Sequence, residues 1–276
     1  MTIGSFLNVC IWRMPREMSI VQPPSHCTSC NTRLRPWDLI PVVSFLIQGR
    51  KCRYCGEPIS WRYAIVESLT GLAFVLLYLV DGVGAALIFD ALFVAALIAI
   101  FAIDLEHYII PDELNAFAVL TGIGRDVFGL VTGRGDYALR LPVPGTQWEL
   151  GVPASILGLL VGFGLFLLIG FLGSLIFKRE ALGGGDLKLA AGIGAQLGWL
   201  GAVASFYLAI VFGAVVGVGL IALGVKKRGE YIPFGPAMVI GALAVIYCGH
   251  WVLPALLAVY SLHPQNGMAL PVRSWP

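Results

Sequence analysis

Leu182-Gly183-Gly184-Gly185-Asp186-Leu187-Lys188 stands between two long apolar runs, residues 152–177 and 189–225. An ionisable side chain at the edge of a membrane segment is expensive to keep there, so it marks a functional candidate. Glycine allows close backbone approach and positive φ, as an extended chain laid across a site requires. The same residues also read as a polar loop whose aspartate caps the following helix. A second aspartate, Asp104, ends another apolar run, residues 85–103, and this favours the functional reading. Two carboxylates brought together at one membrane face can share a proton as an aspartyl dyad.

Composition fits that setting. The chain has 276 residues, 58% hydrophobic and 12% charged, with a mean hydropathy of +0.85. A soluble domain is about 25% charged, so the expected class is an all-α polytopic membrane protein. The net charge of +2 and the absence of a basic run longer than Lys226-Lys227-Arg228 give no sign of nucleic-acid binding. Thirty-four glycines suit closely packed transmembrane helices. No basic stretch follows Met1, so no cleavable signal peptide is read.

Residues 1–12 are apolar but give only about 18 Å of helix against a hydrocarbon core of about 30 Å. They read as a partial first transmembrane helix. Either translation starts upstream, or this end is held in a water-filled crevice or drawn toward the cytoplasmic face. Residues 13–62 are the densest Lys/Arg segment and are placed in the cytoplasm by the positive-inside rule. Residues 63–262 form the membrane core. Its spans are 63–80, 85–103, 116–132 and 152–177, then two from 189–225 with a turn within 198–205, and a last one over 234–262. Residues 133–151 form an external loop and 263–276 an external tail. The expected fold has about eight transmembrane helices, the first truncated, with Asp104 and Asp186 on the cytoplasmic side.

Cys27-Thr28-Ser29-Cys30 and Cys52-Arg53-Tyr54-Cys55 are two CxxC knuckles separated by 21 residues. Four thiolates at this spacing match a closed, structural zinc ribbon with four cysteine ligands, with disulfides or unliganded thiols as alternatives. A cytoplasmic location disfavours stable disulfides. His26 reads as a bystander, and Cys10 and Cys248 as packing residues.

Asp104 is chosen over Glu106 and Asp112 because it lies nearest the apolar core. Glu106 and His107 read as solvated, and Asp112, after Pro111, as a helix-start residue. Glu67, Asn8 and Asn115 are polar groups in or beside membrane segments. Glu67 must meet a partner or water there, or lie at an interfacial helix end. Gly192-Ile193-Gly194-Ala195-Gln196-Leu197-Gly198 has no preceding strand and reads as helix packing rather than a dinucleotide loop.

Several of these segments together carry a family resemblance. They are Gly4-Ser5-Phe6-Leu7-Asn8-Val9, the double CxxC loop, Pro58-Ile59-Ser60-Trp61-Arg62-Tyr63, Asp104-Leu105 with Ile110-Pro111-Asp112, and Gly183-Gly184-Gly185-Asp186-Leu187-Lys188. In this order the chain resembles the bacterial type IV prepilin peptidases, membrane aspartyl proteases of the GxGD type. The resemblance implies removal of the basic leader of type IV prepilins or pseudopilins, in service of type IV pili or protein secretion. It further implies N-methylation of the new amino terminus with S-adenosylmethionine. Asp104 and Asp186 match the family's catalytic aspartates, and the location implied is the bacterial inner membrane. Glu67, Gly183, Gly184 and Gly185 are candidate substrate-binding residues. The rival reading is a proton-coupled transporter or channel with a zinc-ribbon regulatory loop, in which the two aspartates relay protons.

Overall fold

The computed structural model describes residues 1–133, 138–142, 149–178, 182–227, 230 and 232–259. The helices are α1 (Thr2–Arg13), the short α2 (Val43–Ile47), α3 (Trp61–Asp81), α4 (Ala85–His107), α5 (Asp112–Thr132), α6 (Ala154–Phe177), α7 (Gly184–Ala222) and α8 (Gly235–Val259). Among the described residues six helices, α3 to α8, are long and apolar enough to cross a membrane. The 12-residue α1 is not.

Helix α4 is central. It is apolar around its whole circumference, as a helix enclosed by others must be. Phe93, Val94, Leu97, Ile100 and Ile103 are fully buried against the surrounding helices. The bundle's outer surface is apolar too, with Leu160, Leu167, Leu168, Leu175 and Ile176 exposed along α6. In water such a surface would be a liability, whereas lipid is its natural solvent.

Small residues bring the helix backbones together. A Cβ on Gly158 would collide with the Gly194 carbonyl, one on Gly162 with the Ala190 carbonyl, and one on Gly241 with the Ser205 carbonyl. This matches the packing role read for the glycines near residue 194.

The 37-residue apolar run does not form a straight helix. Gly198 breaks α7 with φ 70 and ψ 175, a conformation open essentially to glycine alone. The break falls at the first residue of the expected turn. The part before it packs on α6, as Gly158 meets Gly194 and Gly162 meets Ala190, and the part after it packs antiparallel to α8. Gly201 lies by Val245, Ser205 by Gly241, and Gly213 by Phe234 and Ala237. The far end of α7 therefore returns toward the end of the bundle that holds Asp186, and Lys226 lies beside Tyr108 at the close of α4.

A buried polar cluster supports the break. Arg125 Nη1 donates at 3.2 Å to the carbonyl of Gln196, two residues before Gly198. Gln196 Nε2 donates to Asp90 Oδ1 at 2.7 Å, and Arg125 lies 3.7 Å from the same oxygen. Next to it, Asp126 accepts the Ser155 amide at 2.7 Å and so caps α6, where Pro153 cannot.

Several expectations change. α4 continues past the expected end at 103 to His107, while α5 starts at Asp112, as read for that residue. The expected external loop contains an antiparallel pair, β1 (Ala138–Pro142) with β2 (Glu149–Pro153). Cys248 is exposed on the outside of α8 rather than packed, while Cys10 is buried. The expected tail, 263–276, lies outside the described residues.

Candidate active site

Asp104 occupies the last full turn of α4 and Asp186 the first turn of α7, and both are buried, at 3% and 6% exposure. The fold brings the two within Coulombic reach of each other. Asp186 sits three residues after the N-cap Gly183, and its carboxylate turns back to the Gly183 amide. The N-cap is thus Gly183 rather than Asp186, whose carboxylate stays buried in the bundle.

Ile110, in the short link from α4 to α5, joins the two halves of the site. A Cβ on Gly185 would come within 3.2 Å of the Ile110 side chain, and so would one on Gly235. Gly235 opens α8, and its amide faces the Asp104 carboxylate. A Cβ there would collide with Asp104 Oδ2. That oxygen is buried without a hydrogen-bond partner among the described residues. Gly235 escaped sequence reasoning, because a glycine does not signal chemistry by itself, and Ile110 entered it only as part of the Ile110-Pro111-Asp112 segment.

The rival carboxylates are engaged elsewhere. Both Asp112 oxygens accept from Lys188 Nζ, at 2.7 and 2.8 Å, in an exposed pair. Glu106 takes Arg62 Nη1 at 2.6 Å. Gly183, Gly184 and Gly185 lie with Asp186 at the start of α7. Glu67 lies elsewhere, buried in α3, and accepts the Val42 amide at 2.7 Å beneath the cysteine segment.

The four cysteines meet as expected. One sulfur from each of Cys27, Cys30, Cys52 and Cys55 lies within 4.8 Å of the others. Each knuckle closes the same way: Asn31 and Gly56, four residues after Cys27 and Cys52, donate their amides back to those residues' carbonyls. Both take positive φ, 54 and 75, which explains an asparagine in one and a glycine in the other. The Thr32 hydroxyl and amide hold the Cys30 thiol down to about 6. At Cys55 the lowering effect of the Glu57 backbone is outweighed by burial and the neighbouring thiols, which push it up to about 12, as expected where four thiols crowd together. All four sulfurs have room for a tetrahedral ion with Zn–S of about 2.3 Å. His26 turns to the Pro24 carbonyl at 3.0 Å and is not part of the cluster.

Arg13, the first residue of the basic segment, is 4% exposed and donates to the Ser19 and Pro23 carbonyls at 2.8 and 2.6 Å. It pins the start of the cysteine segment to α1.

With this geometry in place, comparison with known proteins is decisive. Residues 1–80 match the bacterial peptidase A24 N-terminal domain, and residues 91–218 match the type IV leader peptidase family. A protein of Escherichia coli O78:H11 named type 4 prepilin-like proteins leader peptide-processing enzyme is 33% identical over 264 residues, covering 89% of this chain and 90% of that one. The chain belongs to the type IV leader peptidase family. Prepilin leader peptidase/N-methyltransferases of Bacillus subtilis and Myxococcus xanthus are 32% and 37% identical. The alignment covers 89% of this peptidase and 90% of the Bacillus protein, and 78% and 59% with the Myxococcus protein. No solved structure matches the peptidase. Both aspartates and Gly183 to Gly185 fall inside the family match over residues 91–218, and all four cysteines inside the match over 1–80. The names of these three relatives are those of leader peptidases or leader peptide-processing enzymes.

Proposed function

We propose that the protein removes the basic leader of type IV prepilins or pseudopilins and methylates the amino terminus so exposed. The observation that carries the first half is the meeting of Asp104 and Asp186, two buried carboxylates from helix ends far apart in sequence. One carboxylate takes a proton from water as it attacks the scissile carbonyl, while the protonated partner donates to the carbonyl oxygen. The roles exchange as the tetrahedral intermediate collapses, and the leaving amine takes a proton. Gly183, Gly184 and Gly185, with no side chains in the way, offer room beside Asp186 for an extended substrate.

In this reading residues 13–62 and both aspartates face the cytoplasm, as the Lys/Arg excess argues, in a bacterial inner membrane. Counting α7 as two passes and α1 as a partial one gives eight helices. A zinc ion on Cys27, Cys30, Cys52 and Cys55 is structural, since four protein ligands leave no open position. Methyl transfer uses S-adenosylmethionine: the amine lone pair bonds to the methyl carbon, the carbon–sulfur electrons stay on sulfur as a thioether, and the amine's proton passes to water. Incubating membranes with a prepilin and methyl-labelled S-adenosylmethionine tests both activities together. The reading expects a shortened pilin carrying label, and an uncut prepilin would refute it.

A further inference from the structure

A cavity of about 460 Å³ lies between the cysteine segment and helices α1 and α3. Neither Asp104 nor Asp186 lines it, so cleavage leaves it unexplained. Its volume is in the range of small-molecule sites, which join apolar walls to a few fixed polar groups.

Those polar groups are present and incompletely satisfied. Asn8, 2% exposed, donates its amide to the Gly4 and Tyr63 carbonyls at 3.3 and 3.1 Å. Its Oδ1 is buried without a partner. An unmet buried acceptor on a cavity wall is destabilising, and a ligand donor placed there would relieve it. Glu67, 7% exposed, lines the same cavity and uses one oxygen on the Val42 amide. Val42 takes φ 63, a conformation unusual for a β-branched residue, so the backbone is held off its preference where it meets Glu67. Trp12 and Tyr63 add aromatic faces, and Arg13, Arg16, Arg53 and Arg62 share the wall with the carboxylates Asp38, Glu57 and Glu67.

We infer that this cavity is the methyl-donor site, and that Asn8 and Glu67 fix S-adenosylmethionine in it. The inference rests on the methyltransferase half of the proposed function. The donor has an ammonium and a sulfonium for Glu67 and the unmet Asn8 oxygen, a carboxylate for an arginine, and an adenine for an aromatic face. The cavity is also within reach of the cleavage site. Arg62, on its wall, pairs at 2.6 Å with Glu106, two residues beyond Asp104. A new amino terminus can therefore pass from the aspartates to the donor along one edge of the bundle.

The test is equilibrium binding of labelled S-adenosylmethionine to the purified, zinc-loaded full chain in detergent, without prepilin. Wild type should bind, and Asn8→Ala and Glu67→Gln should each weaken binding tenfold or more. Gln at position 67 keeps an acceptor for the Val42 amide. Equal binding by well-folded variants overturns the inference, and so does a wild type that cleaves prepilin but binds no donor. Should either variant fold poorly, ultraviolet crosslinking of the donor to the native protein decides. Label within residues 5–16 or 57–67 supports the site, and label confined to 104–115 or 183–189 overturns it. Prepilin cleavage by the wild type, measured separately, reports on the peptidase reading alone.

Discussion

Gly235 approaches Asp104 so closely that a single added methyl group would strike its Oδ2. The first turn of α8 thus sets the position of a carboxylate from α4, and glycine is required by space rather than by backbone angle. Gly235→Ala should displace the carboxylate and cut leader removal by about 100-fold or more, since small misplacements of reacting groups have effects of that size. The rate on a prepilin in membranes checks this, against protein level as a control. A rate within threefold of wild type would show that the contact is slack.

Asp112 should matter little. Its pair with Lys188 is exposed on both sides, at 52% for the lysine and 70% for the aspartate, and such surface pairs contribute about 0–1 kcal/mol. Asp112→Asn should therefore retain most leader-peptidase activity. An inactive Asp112→Asn beside an active Asp104→Asn would move the catalytic role to Asp112.

The cysteine cluster should bind one equivalent of zinc, and Cys→Ser at 27, 30, 52 or 55 should unfold residues 24–60 locally. Small metal domains derive most of their folding free energy from the ion. Metal analysis and the intact mass of the purified protein are the measurements. A mass lower by four hydrogens, indicating two disulfides, or metal well below one equivalent would contradict the site.

Gly198→Ala should lower thermal stability in detergent by about 1–3 kcal/mol, the strain of a side chain at that backbone conformation. An unchanged melting midpoint would mean that the break in α7 is not built on Gly198.

The burial of Asp104 and Asp186 near one another and the cluster of four cysteines were legible because each is a local pattern set against a contrasting background. Asp186 stands out among glycines, Asp104 ends an apolar run, and paired cysteines recur at fixed spacing. The reversal near Gly198 was also readable, since a straight α7 would have carried Lys226 away from the basic side. What stayed hidden were partners supplied by distant segments. Nothing in the spacing told that Arg13 would turn inward to Ser19 and Pro23, or that Asp90, Arg125 and Gln196 would meet inside the bundle. Glu67 was recognised as needing a partner, but the partner is a backbone amide at Val42, which no side-chain pattern announces. Gly235 lies 131 positions from Asp104, and only packing relates them.

The central claim is that Asp104 and Asp186 work as one catalytic pair. Leader removal from a prepilin, measured for Asp104→Asn, Asp186→Asn and the double variant in membranes, tests it most directly. Each single change should reduce the rate by about 1,000-fold or more, and the double change should add little, because parts of one unit do not contribute additively. If either single variant still cleaves at near the wild-type rate while present at a normal level, the pair is not the catalyst.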